Sequence, residues 1–237
     1  MIRETMPTKE AIICATARLL EQGGRDAVST RAVAAAAGVQ VPTIYRQFGD
    51  MRGLLDAVVS YVLDRYLAQK GPVTTVDDPV VALREQWDCN VNFGLGYPAF
   101  YTLLYSDYQP GMPFRATVET ITFLEGLMRE VAKAGRLRVE VNQATQMLHA
   151  ACSGVILTLL GRAPEERDMT LSVATREATL DAVLVPSEAP TKTPNIQPAQ
   201  VANRAIALKA LLPDATALTT SERQLLDEWL DRLSVLT

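Results

Sequence analysis

Along most of this chain, apolar residues recur at intervals of three and four, and the strict apolar–polar alternation of half-buried strands is absent. The pattern predicts helices throughout. Ile12, Ala15, Thr16, Leu19 and Leu20 fall on one side of a first helix, with Thr8 as its N-cap and Gly23-Gly24 as its stop. Ser29 is placed to cap a short Ala-rich helix that Gly38 ends through a left-handed residue. A third helix starts near Gln40 with Pro42 in its first turn, where a missing N–H costs nothing. Ile44 and Phe48, four apart, share its inner face. Asp50 caps a long fourth helix from Met51 to about Lys70, with Leu54, Leu55, Val58, Val62 and Tyr66 on one face and Gly71-Pro72 beyond it.

Further helical periods follow over about 79–94, 98–108, 114–134, 142–160, 169–185, 199–212 and 219 onward. The Thr219/Glu222 spacing matches a capping box. Residues 186–198 contain four prolines and no period, which predicts an extended loop. The fold class expected is all-α: a small three-helix head and a larger helical body.

Composition narrows the classes. At 48% hydrophobic the 237-residue chain can build a real core, and no run approaches the ~20 apolar residues of a membrane span. The polar N-terminus predicts no apolar leader and a cytoplasmic protein. Cys14, Cys89 and Cys152 are odd in number and widely spaced, which favours free thiols. With His149 the single histidine, neither a metal site, a cofactor nor a catalytic triad is expected, and the chain does not read as an enzyme. Net charge is −4, yet residues 1–70 carry nine Lys/Arg and seven Asp/Glu, so the acid excess lies in the body.

The candidate chemistry is concentrated in Thr30 to Phe48, TRAVAAAAGVQVPTIYRQF. Two short helices meet at a tight turn, and the second shows small polar groups, a Tyr and an Arg on its outer surface. That is the design of a helix-turn-helix that reads the major groove. These residues, with AxxAGVxxPTIYRxF followed by GDxxxLLDAVV, resemble the TetR family of bacterial one-component transcription regulators. The resemblance is close over about the first quarter of the chain and covers the rest only in helical layout.

The resemblance implies a head over residues 1–50, a connecting helix over 51–70, and an effector-binding and dimerisation domain over 71–237. Arg31 suits bidentate contact with guanine, the commonest specific base contact. Thr43 and Tyr45 suit phosphates or base edges, and Val41 and Pro42 suit thymine methyls. Thr30 and Gln40 stand at helix N-termini and suit phosphates. Arg46 and Gln47 complete the set. In the body, Trp87, Tyr97, Phe100, Tyr101, Tyr105, Tyr108 and Phe114 form an aromatic-rich stretch. Trp87, Asn90, Tyr101, Tyr105, Phe114, Ile121, Glu125 and His149 are the candidate effector contacts, although for any single aromatic ordinary core packing is an alternative. The partners implied are double-stranded operator DNA, a second copy of the chain and a small apolar effector, with no membrane. The long helices 142–160 and 169–185, with small Ala150, Ala151, Ser153 and Gly154, are the expected dimer surface. Repression is the expected sign. A helical small-molecule-binding protein or enzyme keeping an idle head is the alternative. One departure stands out: the resemblance implies a phosphate-touching Lys at the first position of the fourth helix, where this chain has Met51.

Overall fold

The computed structural model describes residues 7–70, 78–106, 109–185 and 198–235. The predicted loop at 186–198 falls, but for Pro198, outside the described residues, as does Tyr108. Among the described residues the fold is all-α, with eleven α-helices. They are α1 (Thr8–Gly23), α2 (Thr30–Ala37), α3 (Val41–Phe48), α4 (Met51–Lys70), α5 (Pro79–Gly96), α6 (Pro98–Ser106), α7 (Arg115–Lys133), α8 (Val141–Leu160), α9 (Thr170–Val183), α10 (Pro198–Leu211) and α11 (Thr220–Ser234). The only extended pairing among them is one antiparallel bridge between Leu137 and Leu184. No helix of the described residues is long and apolar enough to cross a membrane.

The chain divides into two compact units, Met1–Thr74 with Asn92–Thr120 and Thr75–Val91 with Ile121–Thr237. In the first, α1 packs on α2, α4 and α6, and α3 packs on α2 and α4. Ile12, Leu20, Val33, Ile44, Leu54, Leu55, Val58 and Val59 make its core. Each of these side chains contributes about 1.5–3 kcal/mol through the apolar surface it removes from water. Tyr66, Phe93 and Tyr97 add a ring cluster with centroids 5.3–5.8 Å apart.

The second unit rests on α8, whose Ala144, Leu148, Cys152, Ile156 and Leu159 are buried and which packs along α9. Trp87 of α5 is buried in this unit, and its indole N–H donates to the buried Ser172 hydroxyl of α9 at 2.9 Å. The α10–α11 hairpin closes over Ala205, Leu212 and Leu230. Here the expected capping box forms: Thr219 Oγ1 accepts from the Glu222 N–H, and the Glu222 carboxylate accepts from the Thr219 N–H at 2.8 Å.

One cap differs from expectation. The backbone turns one residue early, so that Pro7 is the N-cap of α1 and Thr8 lies inside the helix without a side-chain capping bond. The Pro7 carbonyl accepts the first helical bond from Ala11, and the rigid proline φ sets the entry that Thr8 was expected to provide.

Candidate nucleic-acid interface

The α2–turn–α3 segment is held by a short series of local bonds. The Ser29 hydroxyl accepts from the Ala32 N–H at 3.2 Å and starts α2. At the other end Gly38 sits at φ 66, ψ 32, the left-handed conformation that glycine adopts without strain. The Val39 N–H reaches back to the Ala34 carbonyl at 3.0 Å and the Gly38 N–H to Ala35 at 3.3 Å, a Schellman closure. The chain then turns at Gln40, in extended backbone, and α3 begins with Pro42 in its first turn. Ile44 is the one fully buried side chain of α3. Phe48 is half-buried, with the Lys9 ammonium 5.8 Å from its ring centroid.

The far end of α3 is tied to α4. The Gly49 N–H bonds the Tyr45 carbonyl at 2.8 Å, and the Asp50 carboxylate caps α4 by accepting from the Gly53 N–H at 2.7 Å. A Cβ added at Gly53 would stand 2.2 Å from the Phe48 carbonyl oxygen. Only glycine lets the two helices approach so closely at this junction. Sequence reading placed the Asp50 cap but missed Gly53, because its constraint lies in the tertiary approach of α3 and carries no local signal. The start of α4 is also fastened to the 109–115 segment. Arg52 donates to the Met112 carbonyl at 2.6 Å and lies 4.2 Å from the Phe114 ring centroid. The Arg115 N–H donates to Asp56 at 2.7 Å, and its Nε donates to the Ser60 hydroxyl at 3.2 Å.

With the mount so defined, the outward residues can be placed. Pro42, Tyr45, Arg46 and Gln47 are exposed on α3, Tyr45 to 48%. Arg31 on α2 and Gln40 at the turn are also exposed, and Thr30, Val41 and Thr43 are half-buried. Among the described residues no hydrogen bond or ion pair engages the side chains of Arg31, Tyr45, Arg46 or Gln47. The chain therefore presents two guanidiniums, a phenol and an amide with their hydrogen-bonding capacity intact.

The body residues singled out from the sequence fall into both compact units. Tyr101, Tyr105 and Phe114 belong to the first. The hydroxyls of Tyr101 and Tyr105 lie 3.3 Å apart, with Tyr105 reaching solvent, while Phe114 is buried beneath Arg52. Trp87, Asn90, Ile121, Glu125 and His149 belong to the second. Asn90 accepts from the Gln86 amide at 3.5 Å. Glu125 pairs with Arg129 at the edge of a cleft of about 490 Å³, whose floor includes Val141, Ile206 and Leu212. His149 is half-buried, and the loss of water around it lowers its pKa, which keeps the imidazole neutral near pH 7. Burial, with a smaller push from the Asp88 charge, raises the Cys152 thiol to about 12, so this cysteine is an unreactive packing group. No cluster of three or more metal-ligating side chains occurs among the described residues.

Comparison with known proteins agrees with this geometry. Residues 12–58 match the family model for bacterial regulatory proteins of the tetR family. No curated protein matches the chain in sequence. In structure the chain is similar to a TetR family transcription regulator from Shewanella sp. PV-4 at a TM-score of 0.59 and 16% identity, covering 76% of this chain and 100% of that one. It is similar to a TetR-family regulator from Haemophilus influenzae Rd at TM-score 0.53 and 20% identity, covering 75% and 97%. A TetR variant from Acinetobacter baumannii AYE, solved with minocycline, matches at TM-score 0.52 and 24% identity, covering 73% and 94%. Residues 12–58 thus carry a tetR-family helix-turn-helix sequence, and the described residues share the fold of TetR-family regulators.

Proposed function

We propose that the chain is a non-catalytic, cytoplasmic, ligand-responsive DNA-binding repressor that works as a homodimer. The observation that carries this reading is the outer face of the helix-turn-helix, where no hydrogen bond or ion pair among the described residues engages the side chains of Arg31, Tyr45, Arg46 and Gln47. Arg31 is assigned to a guanine edge, and Arg46 and Gln47 to adjacent edges or phosphates. Thr43 and Tyr45 are assigned to phosphates or base edges, Val41 and Pro42 to thymine methyls, and Thr30 and Gln40 to phosphates. In terms of role, residues 1–50 are the DNA-binding domain, 51–70 the connector and 71–237 the effector-binding and dimerisation domain.

The dimer is assigned to α8 and α9. Met147, Ala151, Ala174, Thr175, Ala178 and Ala182 line a shallow trough there, small but for Met147, and the same two helices expose Leu157, Leu171 and Val173. Small residues let a second copy approach closely, and the exposed apolar side chains supply the driving force. Ala178→Glu would bury a carboxylate in that seam, and sedimentation of the variant should give a monomer; an unchanged dimer would move the interface elsewhere.

The effector is assigned an apolar, aromatic-compatible character, with the Tyr101–Tyr105 hydroxyl pair as a polar handle. A TetR of this fold holds minocycline, which supports a small-molecule effector here. The effector acts by binding one conformational state more tightly than the other, and the shift in operator affinity equals that difference. Selection of bound sequences from a random DNA pool, followed by footprinting, tests the whole reading. The expected product is a pseudo-palindrome with half-sites about 34–36 Å apart. Failure to enrich any sequence would overturn it.

A further inference from the structure

The terminal helix α11 carries two apolar stripes. One, Leu226 and Leu230, turns inward onto the hairpin core with Ala205, Leu212 and Leu218. The other is Leu225, Trp229 and Leu233, spaced four apart and left 47%, 51% and 40% exposed. Leu208 and Leu211 of α10 and Val235 leave more apolar surface open on the same hairpin. An indole flanked on both sides by leucines one turn away is a strong anchor for a protein contact and a costly surface to leave in water.

The flanking charges decide what covers it. Along α11 stand Glu222, Asp227, Glu228 and Asp231 against Arg223 and Arg232, and Lys209 of α10, paired with Asp227 and Asp231, leaves one acid in excess. This acid excess is unsuited to nucleic acid, and an anionic bilayer requires a basic border to the apolar face. Glu228 and Arg232 pair with each other at 3.7 Å and, at 100° per residue, lie on the same side of the stripe. We propose that the stripe is covered by the same helix of a second copy, antiparallel and centred on Trp229. In that register Leu225 meets Leu233 of the partner subunit, and the two indoles meet at the axis. Arg232 falls about 3 Å along the axis from Glu228 of the partner subunit, and the symmetric pair forms on the same side. A parallel arrangement would instead set the charged flank against the Leu226–Leu230 side of the other helix. The contact uses different helices from the α8–α9 trough, so it adds a second association step to dimerisation.

Sedimentation velocity of the full chain over a wide concentration range tests this. Wild type should show a step to twice the mass of the Trp229→Glu species, and the variant should weaken that step by roughly thirtyfold or more, the effect of losing a hot-spot anchor. Because Trp229 is half-exposed, the variant should keep its helical circular dichroism and melting behaviour. Glu228→Arg and Arg232→Glu should each weaken the step, and the double variant should restore it. Trp229 emission should shift to the blue as the step proceeds. Ala178→Glu, aimed at the other interface, should leave the α11 step in place, which separates failure of one contact from failure of the other. Equal masses for wild type and Trp229→Glu at every concentration would overturn the proposal. So would a double charge reversal as weak as the single ones, which would assign the stripe to a different occupant.

Discussion

Two arginines of the helix-turn-helix, Arg31 and Arg46, and two of the second unit, Arg84 and Arg176, are used in opposite ways. Arg84 of α5 grips both oxygens of Glu177, with its closest contact at 2.7 Å. Arg176 joins the same carboxylate at 2.8 Å and reaches Asp88 at 2.7 Å. The Arg84 guanidinium, with Arg176 as the second cation, holds the Glu177 carboxyl below the usual carboxylate range. In the head, Arg31 and Arg46 have no such partner among the described residues. A guanidinium whose Nε edge is already spent on a carboxylate has fewer donors left for a guanine, whereas a solvated one exchanges water for the base at modest cost. Arg84 and Arg176 are thus committed to cross-linking α5 and α9, and Arg31 and Arg46 on α2 and α3 are kept available for a partner.

The contrast can be broken most directly at Arg31. Arg31→Ala should weaken specific operator binding by about 1–3 kcal/mol per head and relax one base position in the selected sequence. An unchanged sequence preference in a binding-site selection would remove Arg31 from the readers. Gly53→Ala acts on the mount instead. Its methyl would press on the Phe48 carbonyl, and the overpacking should cost about 1–3 kcal/mol of stability, with weaker binding to all DNA sequences alike. Thermal melting alongside DNA titration checks this.

Arg176→Ala in the second unit should cost about 1 kcal/mol, because Asp88 and Glu177 are each more than a third exposed and solvent screens the pairing. Its melting temperature should fall while the operator preference stays fixed. A changed base preference would show that the two groups of arginines are not independent.

Met51→Lys sharpens the comparison from the other side by adding a free cation at the head. A dimer would gain two phosphate contacts, so the salt dependence of binding should steepen by about 1.8, at roughly 0.9 per contact. Coincident slopes for wild type and variant would show that Met51 does not face the backbone. The Asp50 carboxylate already takes the Gly53 N–H in the first turn of α4.

The smallest effect expected is a pH dependence from His149. Burial lowers its folded pKa below the ordinary 6.5, so the unfolded chain binds the proton more readily. Stability should therefore fall as pH drops below 6.5, levelling off once the folded state also protonates. His149→Gln should remove that component of the melting profile between pH 7 and the carboxylate range; an identical profile would assign the dependence to other groups.

The head was legible because its signals are local. Ser29, Gly38, Pro42 and Asp50 each do their work within a few residues of their own position, so spacing alone located the helices and the turn. Thr8 shows the limit of such reading, since a hydroxyl next to a proline looks like a cap but the proline had already set the turn. The body was legible as helices and much less so as a site. Arg84 and Glu177 are 93 residues apart, and Trp87 and Ser172 are 85 apart. Such partners are chosen by how helices pack, and nothing near either residue announces the other. The same holds for the aromatic stretch from Trp87 to Phe114, whose members divide between two packing units despite their nearness in sequence.

The fastening of α4 to the 109–115 segment bears on how this chain can be recombined with others of its fold. A graft that transfers only residues 1–70 onto a foreign body leaves Arg52, Asp56 and Ser60 facing whatever that body offers in place of the Met112 carbonyl and Arg115. The transplantable module is discontinuous. It must carry Asn92–Thr120 with it, and a hybrid built that way keeps the fasteners that hold the reader's supporting helix.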